Sequence, residues 1–179
     1  MVERAHGVVL ISDPAALNHT WPGVSPAANF APNPVKSAWL GCAMAAPVAF
    51  YAFVFAAGLH HAYLHGWRTI PRSAFMLLVS YKTKAMGLII EELRRLEDSP
   101  SDALLVSILI LAAHGPIIGG AYSNAFVHPI SPLAKTQNLD FYGNLDFSGA
   151  HMDALRLLVS RKGGLGRIQL YGLAETVAL

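Results

Sequence analysis

The sequence predicts an all-α fold, an irregular bundle of about five to six helices behind an extended proline-rich leader. Three observations predict it. Apolar residues recur at helical spacing in several segments, residues that start and stop helices punctuate those segments, and no stretch keeps the alternation of a strand. At 179 residues the chain fits one domain with a real core. Hydrophobic residues make up 54% and charged residues 13%, so much apolar surface has to be hidden in a core, a partner or a bilayer.

Residues 1–36 hold Pro14, Pro22, Pro26, Pro32 and Pro34 among small polar residues, a spacing that interrupts any helix and predicts an extended leader. Trp21 and Phe30 are its candidate anchors. Residues 37–179 read as one helical domain. From Ser37 to Trp67 no residue is charged, and Pro47 suits the first turn of a helix running to about His65.

Ser73 to Asp98 reads as a surface helix with one buried stripe, formed by Val79, Met86, Ile89, Ile90, Leu93 and Leu96. Glu91 and Arg95 have the spacing of a helical ion pair. Ser99-Pro-Ser-Asp102 is a start signal, with Ser99 as the cap, Pro100 in the first turn and Asp102 returning a bond at the third position. Ala103 to Ala113 is apolar on every face, which predicts a central buried helix ended by Gly115-Pro116.

Residues 116–147 read as loop, with a short turn starting between Asn124 and Val127. His151 to Lys162 follows as an amphipathic helix capped by Ser148, with Met152, Leu155, Leu158 and Val159 facing inward and Arg156, Arg161 and Lys162 towards its end. Gly163-Gly164 stops it, since glycine enters the left-handed conformation without steric cost. Ile168 to Leu179 reads as a further helix, cut short at an apolar residue, which predicts exposed apolar surface.

Several chemistries find little footing. The net charge is +2 and the basic residues are spread, without the stripe that nucleic-acid binding uses. Cys42 is the single cysteine, so no intrachain disulfide or multi-cysteine metal site forms, and an apolar setting leaves its thiol inert. His60, His61 and His65 make the best metal-like grouping, His61 and His65 being one helical turn apart, yet no acid lies near to complete a ligand set. No Gly-x-Ser-x-Gly elbow exists. Gly163-Gly-Leu-Gly166 follows a helix rather than a strand and so builds no phosphate cradle. Glu91 and Glu92 sit in a salt-bridged, solvated run. Asn18-His-Thr20 matches a glycosylation acceptor, but only the brief apolar run Val8 to Ile11 precedes it as a secretory signal. Enzyme activity is not expected, and no catalytic, cofactor-binding or metal residue is assigned.

The order of four segments resembles one family. Phe55-Ala-Ala-Gly-Leu-His60, the helix Met86 to Leu96, Ser101-Asp102 through Leu111-Ala112, and His151 through Arg161-Lys-Gly-Gly-Leu165 are similar, in that order, to the regulatory domain of fungal-specific zinc-cluster transcription factors. The resemblance spans roughly residues 45–177. It implies a non-catalytic, all-α regulatory domain in the nucleus, whose partners are proteins or other parts of a transcription regulator, a second copy of the chain included. The family's DNA reader holds two zinc ions with six cysteines, which lone Cys42 cannot replace, so neither cofactor nor direct nucleic-acid binding is expected. A different helical bundle carrying ordinary helix punctuation fits the same segments. A small membrane protein is the second alternative, with residues 38–59 and 103–121 spanning a bilayer and Arg68, Arg72, Lys82, Lys84, Arg94 and Arg95 in the loop between them.

Overall fold

A computed structural model describes residues 34–65, 70–97, 99–114 and 148–178, the backbone alone for 63–65. The leader up to residue 33 with Trp21 and Phe30, the Asn18 acceptor and the 116–147 connection lie outside the described residues. Among the described residues six α-helices follow in order: α1 Pro34–Ala45, α2 Pro47–His65, α3 Arg72–Arg94, α4 Asp102–His114, α5 Gly149–Lys162 and α6 Leu173–Ala178, with a 3₁₀ turn at Leu165–Arg167. No strand occurs among the described residues, so the fold is all-α.

The helical part begins three residues before the expected boundary, because Pro34 stands at a first-turn position where its missing N–H costs nothing. Val35, Trp39 and Ala43, four apart, form the buried side of α1. Pro47 separates α1 from α2. Ala46 N–H still donates to the Cys42 carbonyl at 3.1 Å and Phe50 N–H to Ala46 at 2.9 Å, but residue 47 has no N–H to continue the ladder. The continuous apolar run 38–59 is thus two helices.

α4 is the centre of the bundle. Every residue from Leu104 to Ala112 is buried, as expected of a helix without a polar face, and α2, α3 and α5 pack around it. Its start differs from the expected one. Ser101, not Ser99, is the cap: its Oγ accepts the Leu104 N–H at 3.0 Å, which puts Pro100 outside the helix and Asp102 at its first residue. The Ser101 hydroxyl also donates to Glu92 on α3 at 3.3 Å.

α3 has one inward face, which keeps Ile89 of the expected stripe, with Leu96 packed on the core beyond the helix end, but leaves out Met86, Ile90 and Leu93. Leu78, Tyr81, Ala85 and Ile89 are buried, while Met76, Met86, Ile90 and Leu93 remain 39–55% exposed. The apolar residues of α3 cover both faces, so periodicity alone could not choose between them. The inner face lies so close to α2 that a Cβ on Gly58 would overlap Leu78 Cδ2. The Glu91–Arg95 ion pair forms as expected on the exposed side.

In α5 Leu155, Leu158 and Val159 turn to α4. Ser148 occupies the cap position without bonding a backbone N–H, its Oγ lying instead 2.8 Å from Nδ1 of His151. The expected glycine stop is present. Gly163 is left-handed at φ +95°, its N–H donating to Ser160 at 3.0 Å and that of Gly164 to Val159 at 2.9 Å, the paired bonds of a Schellman closure.

The C-terminal segment is not the single helix expected. After the 3₁₀ turn the chain runs irregularly to Gly172, at φ +81°, and only then forms α6. There a Cβ would stand 3.1 Å from both Val35 methyls, and the Trp39 indole N–H donates to the Tyr171 carbonyl at 2.9 Å. Leu173 is fully buried. The first and last described helices are thereby tied together.

Candidate functional site

The most connected polar feature joins the start of α4 to everything after α5. Asp102 Oδ1 lies 2.9 Å from Lys162 Nζ, with the two side chains only 17% and 11% exposed. Its Oδ2 accepts the backbone N–H groups of Gln169 and Leu170, both at 2.7 Å. Lys162 Nζ donates as well to the Pro100 carbonyl at 2.6 Å. Beside it, Arg161 Nη2 donates to the carbonyls of Leu96 and Glu97 at 3.1 and 3.0 Å. The last two residues of α5 therefore hold the α3–α4 connection, and Asp102 holds the chain beyond the glycines.

Sequence reasoning treated these groups as independent helix punctuation: Asp102 as a starting residue, Arg161 and Lys162 as cations near a helix end, Gly163 and Gly164 as a stop. The structure makes them one clasp. The two glycines turn the backbone so that Gln169 and Leu170 point their N–H groups at the carboxylate whose other oxygen Lys162 neutralises. Charge-assisted bonds in a low-dielectric pocket are strong and unforgiving of a missing partner. Oδ2 accepts two backbone N–H groups and Oδ1 is paired in charge with Lys162, so the cluster joins distant elements of the fold.

Cys42, on α1, is half-buried, and burial together with the nearby Asp102 carboxylate raises its pKa, in keeping with an inert thiol. Of the His60–His61–His65 grouping, the structure describes the side chains of His60 and His61. Neighbouring residues point about 100° apart on a helix, so His60 is buried while His61 is exposed. The His65 side chain lies outside the described residues. His60 lies near enough to the buried His114, at the end of α4, to act on its charge. The pKa of His114 is lowered to about 4, chiefly by burial, which outweighs the raising effect of its bond to Ile110 and is helped by nearby His60. That bond, 3.0 Å from Nδ1 to the Ile110 carbonyl, requires a proton on Nδ1. Among the described residues no three His, Cys, Asp or Glu side chains gather as a metal site. Glu92 meets Ser101, and Glu91 is held by Arg95.

By length and composition α3 is the single described helix able to cross a membrane, a test that core helices of soluble proteins also meet. No family model, no curated protein and no solved structure matches this chain.

Proposed function

We propose that the chain is a non-catalytic regulatory domain of the type found in fungal zinc-cluster transcription factors, working without a DNA reader of its own. One observation carries this reading. The Ser101-Asp102 and Arg161-Lys-Gly-Gly-Leu165 segments, two of the motifs on which the resemblance rests, meet in the clasp, with Asp102 ion-paired to Lys162 and hydrogen-bonded to the backbone beyond the glycines. That contact supplies a physical reason for the two motifs to occur together. On this reading the domain acts in the nucleus by holding contacts with other parts of a regulator or with another protein.

The membrane alternative draws on apolar runs that have places in the bundle. Residues 38–59 divide between α1 and α2, and Leu104 to Ala112 fill the core.

The test is a reporter assay. The chain, inserted between a heterologous DNA-binding module and an activation segment, is expected to lower reporter output. Lys162→Met, which breaks the clasp, should relieve that effect, while Gly166→Ala should not. Output unchanged by the wild-type chain would overturn the reading. So would a shift of labelled DNA by the isolated chain at physiological salt.

A further inference from the structure

Residues 165–178 are attached to the bundle differently from the helices before them. Much of their hydrogen bonding is local. Arg167 N–H donates to the Gly164 carbonyl, Ile168 to Leu165 and Leu173 to Leu170, and Thr176 gives both its N–H and its hydroxyl to Gly172. Leu173 is the one residue of the segment that is buried, whereas α4 buries every residue from Leu104 to Ala112. Ile168, Leu170 and Val177 rest partly covered against the core. So little buried apolar surface puts the segment at the low end of the local stability scale.

Its attachments can be undone without stranding a charge. Gln169 and Leu170 donate to Oδ2 of Asp102, each at 2.7 Å. Lys162, which holds Oδ1 and the Pro100 carbonyl, precedes the glycines and belongs to α5. When the segment leaves, Oδ2 passes to water while the carboxylate keeps its cation, so the cost of a lone buried charge does not arise. The seat on α1 is held independently of the segment. Trp39, whose indole N–H donates to the Tyr171 carbonyl, also packs edge to face on Phe53 of α2, the ring centres 5.8 Å apart. Between the two parts stand Gly163 and Gly164, at φ +95° and +91°, where backbone rotation meets the least steric resistance.

We propose that residues 165–178 form a strap that detaches as one unit from an intact bundle of α1 to α5. It swings about Gly163-Gly164 and uncovers the side of α1 that carries Val35 and Trp39. The closed position is set by Leu173 in its buried seat and by Gly172, where a Cβ would stand 3.1 Å from both Val35 methyls. Opening bares apolar side chains of α1 together with one oxygen of Asp102, a surface that the closed molecule does not present. The device does not depend on the regulatory reading.

Native-state hydrogen exchange of the full chain, along a urea series below the unfolding transition, tests the strap. After correction for intrinsic rates, the amides of Gln169, Leu170, Leu173 and Thr176 should converge on one rate. That rate should depend weakly on urea and exceed the rate of the α4 amides at least about tenfold. The α4 amides should show the steep dependence of global unfolding. Gly58→Ala loosens α2 against Leu78 of α3, a contact outside the strap. It should quicken the α4 amides roughly tenfold and leave the strap amides within about twofold of wild type. Equal quickening of both groups overturns the proposal. So do strap amides that share the rate and urea dependence of α4 in the wild type, a result that decides the matter even if Gly58→Ala does not fold. Strap amides that each keep a separate rate overturn it too, since they describe fraying residue by residue.

Discussion

Acidification should unfold this protein through His114 in particular. The ring is buried at the end of α4, within electrostatic reach of His60, with its Nδ1–H committed to the Ile110 carbonyl. Its pKa is about 4 in the fold against 6.5 in an open chain. As pH falls below 6.5 the unfolded chain takes up a proton that the folded protein refuses, so stability present above that value is lost until the pH reaches about 4. At about 1.4 kcal/mol per unit of pKa difference, the full loss is about 3 kcal/mol, a large part of the 5–15 kcal/mol that roughly describes ordinary domains. The assay is urea denaturation followed by circular dichroism at several pH values between 8 and 4.5. His114→Leu gives up the Ile110 bond, at about 1 kcal/mol above pH 7, but should flatten the acid limb by about 2 kcal/mol or more. His151, also lowered by burial and by Lys82, leaves a smaller residual slope of the same sign. Parallel pH profiles for wild type and His114→Leu would refute the reasoning.

Three further substitutions probe the packing. Gly164 lies at φ +91° and ψ 177°, a region almost confined to glycine, whereas Gly166 has a negative-φ backbone and open space around it. Gly164→Ala should therefore cost about 2 kcal/mol and Gly166→Ala well under 1 kcal/mol by urea denaturation. Gly58→Ala, which drives a methyl into Leu78, should cost about 1–3 kcal/mol, with part of the loss recovered when Leu78→Val is added. Trp39→Phe removes the indole N–H from the Tyr171 carbonyl and should cost about 1 kcal/mol. Hydrogen exchange should then quicken across residues 171–178 more than in α4.

What could be read from the sequence was whatever a single segment decides for itself. Pro47 placed the start of α2, the all-apolar run after Asp102 placed the core helix, and Gly163-Gly164 placed the end of α5. All but one of the misreadings share a cause, which is that the deciding partner lies far along the chain. α3 is apolar on two sides, and its choice of inner face depends on Gly58 of α2 leaving room for Leu78. Ser101 rather than Ser99 caps α4, a distinction of geometry within a stretch where both residues are serine. The C-terminal segment was expected as one helix because its turn is specified by the approach of Gly172 to Val35 and Trp39, more than 130 residues away. His60 reads with its sequence neighbours, while the group it acts on electrostatically is His114, 54 residues along. The clasp combines both cases: each half is visible as punctuation, and only folding shows that Lys162 and the backbone after the glycines share one carboxylate.

That sharing is the central claim, and a double-mutant cycle on Asp102 and Lys162 tests it most directly. Asp102→Asn and Lys162→Met each leave a partly buried group without its charged partner, and each should cost about 3 kcal/mol or more by urea denaturation at pH 7.5. The double variant should cost less than the sum by about 2 kcal/mol, since the pair is removed only once. Additive losses, with a coupling below about 0.5 kcal/mol, would contradict the account and leave the two motifs as unconnected helix ends.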